Sequence, residues 1–252
     1  MPGGITNPFR FHSDKLNEIV VMKRLLFLLI GSFALIPSHS FAQDAMDLIK
    51  KVKAKLATVK DYEAKASMKT DVSFMRVPKS AVTIYFKNPD RFKIKKEDGI
   101  SVMPKGGVSV NLNSLLAGDN FTAVAAGKTT IQNKEVTIIK LLPLDEKSEI
   151  VVSTFYIDEK ELLIRKTTTT TKDNGTYEME LEYGAYSKWG LPDKVNFVFA
   201  TKNYKLPKGL AFDYDNGEKP KAGTSSENQK GRIEITYSKY SINIGLKDSI
   251  FN

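Results

Sequence analysis

The sequence predicts a mainly β protein: one strongly curved antiparallel sheet with a single helix in front of it. Three observations carry this. From Asp61 onward apolar and polar residues alternate with a period of two, the spacing that sets one face of a strand on a core and the other in water. Turn signals recur at short intervals, so that strand follows strand as serial hairpins. At the front, over Asp44–Lys60, apolar residues instead fall three and four apart.

In that front segment Met46, Ile49, Val52, Leu56 and Val59 share one face, and lysines fill the opposite one. Asp44 and Asp47 sit near its start, where the helix dipole favours acidic groups. Tyr62, Ala64, Ala66, Met68, Val72 and Phe74 then alternate with charged or hydroxylated residues and predict a long half-buried strand. A turn is expected around Pro78, followed by a strand over Ala81–Lys87 with Val82, Ile84 and Phe86 on one face. Asn88-Pro89-Asp90 turns the chain into a third strand, Arg91–Lys95, with Phe92 and Ile94 inward. Glu97-Asp98-Gly99 turns again, and from Ile100 to Lys128 the strand signal weakens. Within that stretch Leu112, Leu115 and Leu116 suggest a short helical piece before Gly118.

Strand patterns resume at Val136–Leu142, Glu149–Ile157 and Leu162–Thr171, the last ending in five threonines that favour extended structure. Asp173-Asn174-Gly175 is a hairpin turn signal. Tyr177, Met179, Leu181 and Tyr183 alternate with glutamates, and strands over Lys194–Thr201 and Arg232–Leu246 complete the set. Residues 206–231 are rich in Gly, Pro, Ser and charge and read as a mobile loop or long hairpin tip. Inside it, Asp213–Glu218 is one residue short of a calcium loop and reads as a turn; no metal site is expected.

The segment 22–42 has the three parts of a secretory signal. Lys23 and Arg24 form a basic head, Leu25–Ile36 a short apolar run, and Ser40-Phe41-Ala42 a small-residue exit, which places the cut between Ala42 and Gln43. The run is shorter than the roughly 20 apolar residues of a membrane span. Residues 1–21 read as a non-native or upstream extension, with Met22 the expected start, and 43–252 as one mature domain. No Cys follows the apolar run, so no lipid can be attached there, and the mature protein is expected free in its compartment.

Composition narrows the function. The chain has no Cys, so its fold must hold without disulfides, which a core of this size can do. Its two histidines, His12 and His39, lie before the cut. A mature chain with neither His nor Cys lacks the base of the Ser-His and Cys-His nucleophile systems and the usual zinc ligands. No Gly-rich phosphate loop joins a strand to a helix. No enzyme and no cofactor are expected. The formal charge is +9, of which about +7 remains once a leader carrying Arg10, Lys15, Lys23, Arg24, Asp14 and Glu18 is removed. These charges are spread along the strands, without the basic cluster of a nucleic-acid binder.

The order of elements resembles the outer-membrane lipoprotein carrier family, the LolA-like periplasmic chaperones. The resemblance rests on the helix leading into Asp61-Tyr62-Glu63-Ala64, and on Ile84-Tyr85-Phe86-Lys87-Asn88-Pro89-Asp90-Arg91-Phe92-Lys93-Ile94. It continues through Ile139-Lys140-Leu141-Leu142-Pro143, Phe155-Tyr156-Ile157-Asp158 and Leu191-Pro192 to Val195-Asn196-Phe197, and closes with Tyr240–Asn243 and Asp248–Phe251. It implies a single incomplete, half-open antiparallel β-barrel whose helical lid covers an apolar cavity. It also implies a periplasmic chaperone that binds the acyl chains of lipoproteins and carries them from an inner-membrane releasing complex to an outer-membrane acceptor. A monomer is expected. The alternative is a carrier of free lipid or glycolipid, or a lipid-binding sensor of the same fold that signals to a membrane partner. The family's latch is an Arg immediately before the turn proline; here that position is Asn88, and 206–231 has no counterpart in the simplest members.

Burial is worth about 0.8 kcal/mol per methylene, so a chain of a dozen gains on the order of 10 kcal/mol. Release then needs an acceptor with a comparable apolar site, because no ATP motif is present. The expected acyl cavity is lined by Met68, Val72, Phe74, Val82, Ile84, Phe86, Phe92 and Ile94, with ordinary filled core as the competing reading. Leu112, Leu115 and Leu116 are the expected lid.

Overall fold

The computed structural model describes residues 41–72, 75–96, 116, 120–173, 175–200 and 230–251. The signal segment up to Ser40, the turn at 97–99, Phe74, Leu112, Leu115 and the 206–229 part of the expected loop lie outside them. One helix, α1 (Phe41–Ala57), precedes ten strands: β1 (Asp61–Val72), β2 (Met75–Lys87), β3 (Arg91–Lys96), β4 (Phe121–Ile131), β5 (Lys134–Pro143), β6 (Ile150–Asp158), β7 (Leu163–Thr171), β8 (Gly175–Glu182), β9 (Lys194–Ala200) and β10 (Lys230–Ile242). They form a single antiparallel sheet in the order β3-β2-β1-β10-β9-β8-β7-β6-β5-β4. Consecutive strands are neighbours except β3 and β4, which lie at opposite edges, and β10 pairs with β1 as well as with β9. β3 and β4 are edges, so the barrel is not closed. Lys93, Lys95 and Lys96 on β3, and Lys128 on β4, guard those edges against pairing with other chains.

The alternation read at Asp61 is real. Tyr62, Ala64, Ala66 and Met68 of β1 face a single core, together with Val82, Ile84 and Phe86 of β2 and Ile139, Phe155, Met179, Phe197 and Ile233 of later strands. α1 closes that face with Ala45, Leu48, Ile49, Val52 and Leu56, and it packs against β4. Its register is the one the spacing predicts, although it begins at Phe41 and ends three residues before Lys60. The backbone of Ala42 and Gln43 thus belongs to α1.

Four elements differ from expectation. Pro78 lies inside β2, not at a turn. Thr70 pairs with Val77 and Met68 with Ser80, so Lys69 faces both Pro78 and Lys79 in a bulge, where a residue without an N–H leaves no ladder bond broken. β4 occupies a stretch where no strand was expected, and the two-residue turn Gln132-Asn133 joins it to β5. Both turn residues have positive φ (50° and 58°), the twist that tight hairpins need. Lys230 and Gly231, expected in the loop, open β10 by pairing with Ala200 and Phe199.

β10 stops at Ile242, short of the expected Leu246, because Asn243 takes φ +57°. Its Nδ2 donates to Thr58 O at 3.0 Å, and its Oδ1 accepts from Lys60 N at 2.7 Å. The Asp61 carboxylate accepts from Ile244 N at 2.8 Å and Gly245 N at 3.1 Å. This clasp fixes the exit of α1 to the end of β10. Asn243→Ala should lower the unfolding free energy by about 2–3 kcal/mol in a urea titration. Asn243→Gly, which tolerates the φ, should lose roughly half as much.

Candidate functional site

The sheet presents its apolar face to α1, so a site for an apolar ligand must lie between them. Of the expected cavity residues, Met68, Val82, Ile84 and Phe86 are buried together, and Phe92 and Ile94 pack half-buried against them. Register explains the grouping: Ala64 pairs with Ile84 and Ile84 with Ile94, while Tyr62 pairs with Phe86 and Phe86 with Phe92. Val72 ends β1 opposite Met75. Aromatic rings fill the space in front of this group. Tyr62 stands 5.2 Å from Phe86 and 5.2 Å from Tyr240, which also touches Tyr186 at 4.8 Å and Tyr237 at 4.9 Å. The Tyr240 hydroxyl donates to Pro192 O at 2.7 Å. Burial pushes the Tyr62, Tyr237 and Tyr240 phenols up from their ordinary pKa, so the cluster stays neutral. Leu116, the one described residue of the expected lid, is buried in the same core. Asn88 donates its backbone N–H to Lys60 O at 2.8 Å and begins the turn into β3.

Open space lies elsewhere. A groove of about 630 Å³ runs beneath the N-terminal half of α1, against β4 and β5. Its apolar walls are Ala45 and Leu48 of α1 with Ala125 and Ile139 of the sheet, and its rim carries Asp44, Asp47, Lys51, Lys128 and Glu159. None of the expected cavity residues lines it. The volume falls within the roughly 300–1,000 Å³ of ordinary ligand pockets. It exists because the strand facing the helix there is built of small residues: Ala125 and Gly127 leave a gap where Leu or Phe would fill it. Gly127 has φ +98°, at the register shift between Ala125 and Lys128. A second groove of about 340 Å³ adjoins the first, shares Lys128, Thr137 and Glu159 with it, and is lined by charged residues. Among the described residues no cluster of acidic side chains is gathered to hold a metal.

The other end of α1 is tied down. Lys55 Nζ donates to Glu161 O at 2.6 Å, and burial lowers its pKa against the opposing pull of Glu161 and Asp158. Leu56 sits under Gly190, where an added Cβ would come within 2.9 Å of Leu56 Cδ2 and where φ is +69°. Around the β6–β7 turn Arg165 Nη2 bonds Glu161 Oε2 at 2.8 Å and Asp158 Oδ2 at 3.1 Å. A register shift between Tyr156 and Ile157 makes room for Arg165, whose guanidinium lies 5.3 Å from the Tyr183 ring centre. Arg165 and Asp158 are both buried. Arg165→Met should therefore destabilise the protein by about 3 kcal/mol, because it leaves a buried carboxylate without its partner. Thermal melts of the wild type and variant measure this.

Nothing in the sequence marked the groove or the anchored helix end. Ala125 and Gly127 carry no functional group, and Arg165 stood in a segment read only as a strand.

No protein-family model and no curated protein matches the chain by sequence. Its structure matches that of an outer-membrane lipoprotein-sorting protein domain from Vibrio parahaemolyticus with a TM-score of 0.57 and 10% identity, covering 84% of this chain and 97% of the other. A DUF1329 family protein from Desulfovibrio piger matches with a TM-score of 0.52 and 12% identity over 84% and 98% of the two chains. A LolA superfamily protein from Nitrosomonas europaea matches with 0.51 and 10% over 82% and 97%. The chain has the LolA-like fold.

Proposed function

We propose that this protein is a non-enzymatic periplasmic carrier that takes acyl chains of lipoproteins between α1 and the sheet and moves them from the inner to the outer membrane. One observation carries the reading: an open ten-stranded sheet keeps its apolar face under a single helix that is anchored at its C-terminal end and undercut by a groove at its N-terminal end. An acyl chain entering there replaces water against Ala45, Leu48, Ala125 and Ile139. Lifting the N-terminal half of α1 would extend the groove along the inner face, while Lys55 and Leu56 keep the helix attached. The resemblance to the lipoprotein carriers and the fold of the Vibrio and Nitrosomonas proteins support this choice of ligand. Among the described residues no helix is long and apolar enough to cross a membrane, and α1 is amphipathic, as a cover over an apolar face must be. The proposed partners are an inner-membrane releasing complex and an outer-membrane acceptor, with the carrier itself a monomer.

The test is to purify the protein from its native periplasm and identify bound material by intact mass spectrometry. Acylated lipoproteins are the expected cargo. Phospholipid or glycolipid alone would replace the lipoprotein carrier with a lipid carrier or sensor. Protein free of any lipid, even after incubation with lipoprotein, would refute the reading.

A further inference from the structure

Besides its tyrosines, the inner face carries buried hydroxyls at Thr70 of β1, whose Oγ1 lacks a hydrogen-bond partner among the described residues, at Ser153 of β6, and in a band on β7. Thr167 and Thr169 are fully buried there, with Thr171 nearly so. The second and third have partners. Thr169 Oγ1 lies 3.0 Å from Ser153 Oγ, and Thr171 Oγ1 donates to Gly175 O at 3.0 Å. Thr167 Oγ1 meets no hydrogen-bond partner among the described residues. A buried hydroxyl without a partner is destabilising, and valine would fill the same space without that penalty. The hydroxyl therefore calls for a reason outside packing.

Its position supplies one. Pairing registers place Thr167 on a transverse row of the inner face that runs Ala125, Ile139, Phe155, Thr167, Met179, Phe197. The first two residues of the row line the groove under α1. Thr167 stands two strands further in than Ile139, roughly 10 Å at the usual strand spacing. Both neighbours on its row, Phe155 and Met179, are fully buried.

We propose that Thr167 is a polar subsite within the acyl-binding face, where its hydroxyl donates to the ester carbonyl of a bound acyl chain. This rests on the reading of the protein as an acyl-chain binder and adds what that reading does not contain, a preference for the linkage. The chemistry selects the ligand. The free group is a hydroxyl, which can donate its proton to a ligand acceptor. An ester carbonyl is uncharged and lacks a donor of its own, so it can enter an apolar face at small desolvation cost. A charged headgroup would need a counter-ion, and this row contains no ionisable side chain.

The experiment compares an uncharged diacylglycerol bearing two ester-linked chains with its counterpart bearing two ether-linked alkyl chains. Both are presented in the same detergent and compete for the protein against an apolar naphthylamine dye. The wild type should bind both and prefer the ester roughly five- to tenfold, the worth of one hydrogen bond made in a dry site. Thr167→Val should bind both equally and melt at the same or a higher temperature. Thr167→Ser should retain the preference. Equal binding of ester and ether by the wild type, or an ester preference that survives in Thr167→Val, would overturn the subsite. Ether-lipid binding reports the groove alone, so loss of binding to both lipids by the wild type would instead remove the acyl-binding reading on which the subsite rests.

Discussion

Ala125→Trp will abolish acyl-chain binding, weakening it more than tenfold, while leaving the protein folded. Ala125 is half-buried on β4, an edge strand, where it packs at the margin of the core and lines the groove. An indole placed there occupies the space that the ligand needs, and the groove can take it without overpacking. Stability should change by less than about 1 kcal/mol, as for substitutions away from packed positions. Dye displacement measures the binding and a urea titration the stability. Full binding by a folded Ala125→Trp would show that acyl chains lie elsewhere on the molecule.

Phe86→Ala should have the reverse profile. Its ring is fully buried, 5.2 Å from Tyr62, and pairs across the strands with Phe92. Removing it leaves a cavity in a close-packed region and should cost about 3–5 kcal/mol. For a domain of this size that is a fall in melting temperature of roughly 6–20 °C. Binding at a temperature where the variant is folded should be nearly normal, because Phe86 does not line the groove. A melting temperature within a degree or two of the wild type, together with lost lipid binding, would return Phe86 from core to cavity wall.

How far the sequence was legible depended on whether a feature is made by side chains or by their absence. β1, β2 and β3 were readable because Tyr62 to Met68, Val82 to Phe86 and Phe92 to Ile94 alternate in sequence as they do in space. The hairpin at 173–175 was readable because its turn chemistry is local. β4 escaped because its inward positions, Ala123 and Ala125, are small and weakly strand-forming; only the presence of α1 above them makes that sequence fit a sheet. Pro78 misled for a related reason. A proline reads as a turn until the bulge that accommodates it is seen.

The candidate site shows the same division. The sequence placed Met68, Val82, Ile84 and Phe86 on one inward face, and they are there. Whether an inward face borders a void depends on how residues distant in sequence fill it, here Tyr186, Tyr237 and Tyr240. Thr167 was visible only as part of a strand-favouring run. Its unpartnered hydroxyl follows from the register that alternates it inward between Phe155 and Met179. The overall resemblance to lipoprotein carriers depended on element order, which is why it survives at 10% identity to solved structures of that fold.

The central claim is that acyl chains are held between α1 and β4–β5. Photo-crosslinking tests it most directly: the protein is loaded with a lipid whose acyl chain bears a diazirine, irradiated, and the adducts are mapped by peptide mass spectrometry. The account predicts adducts on α1 around Leu48, on β4 around Ala125 and on β5 around Ile139, all lost in Ala125→Trp. Adducts confined to the solvent-facing side of the sheet, or to the aromatic cluster at Tyr62, Phe86 and Tyr240 with none at the groove, would contradict it.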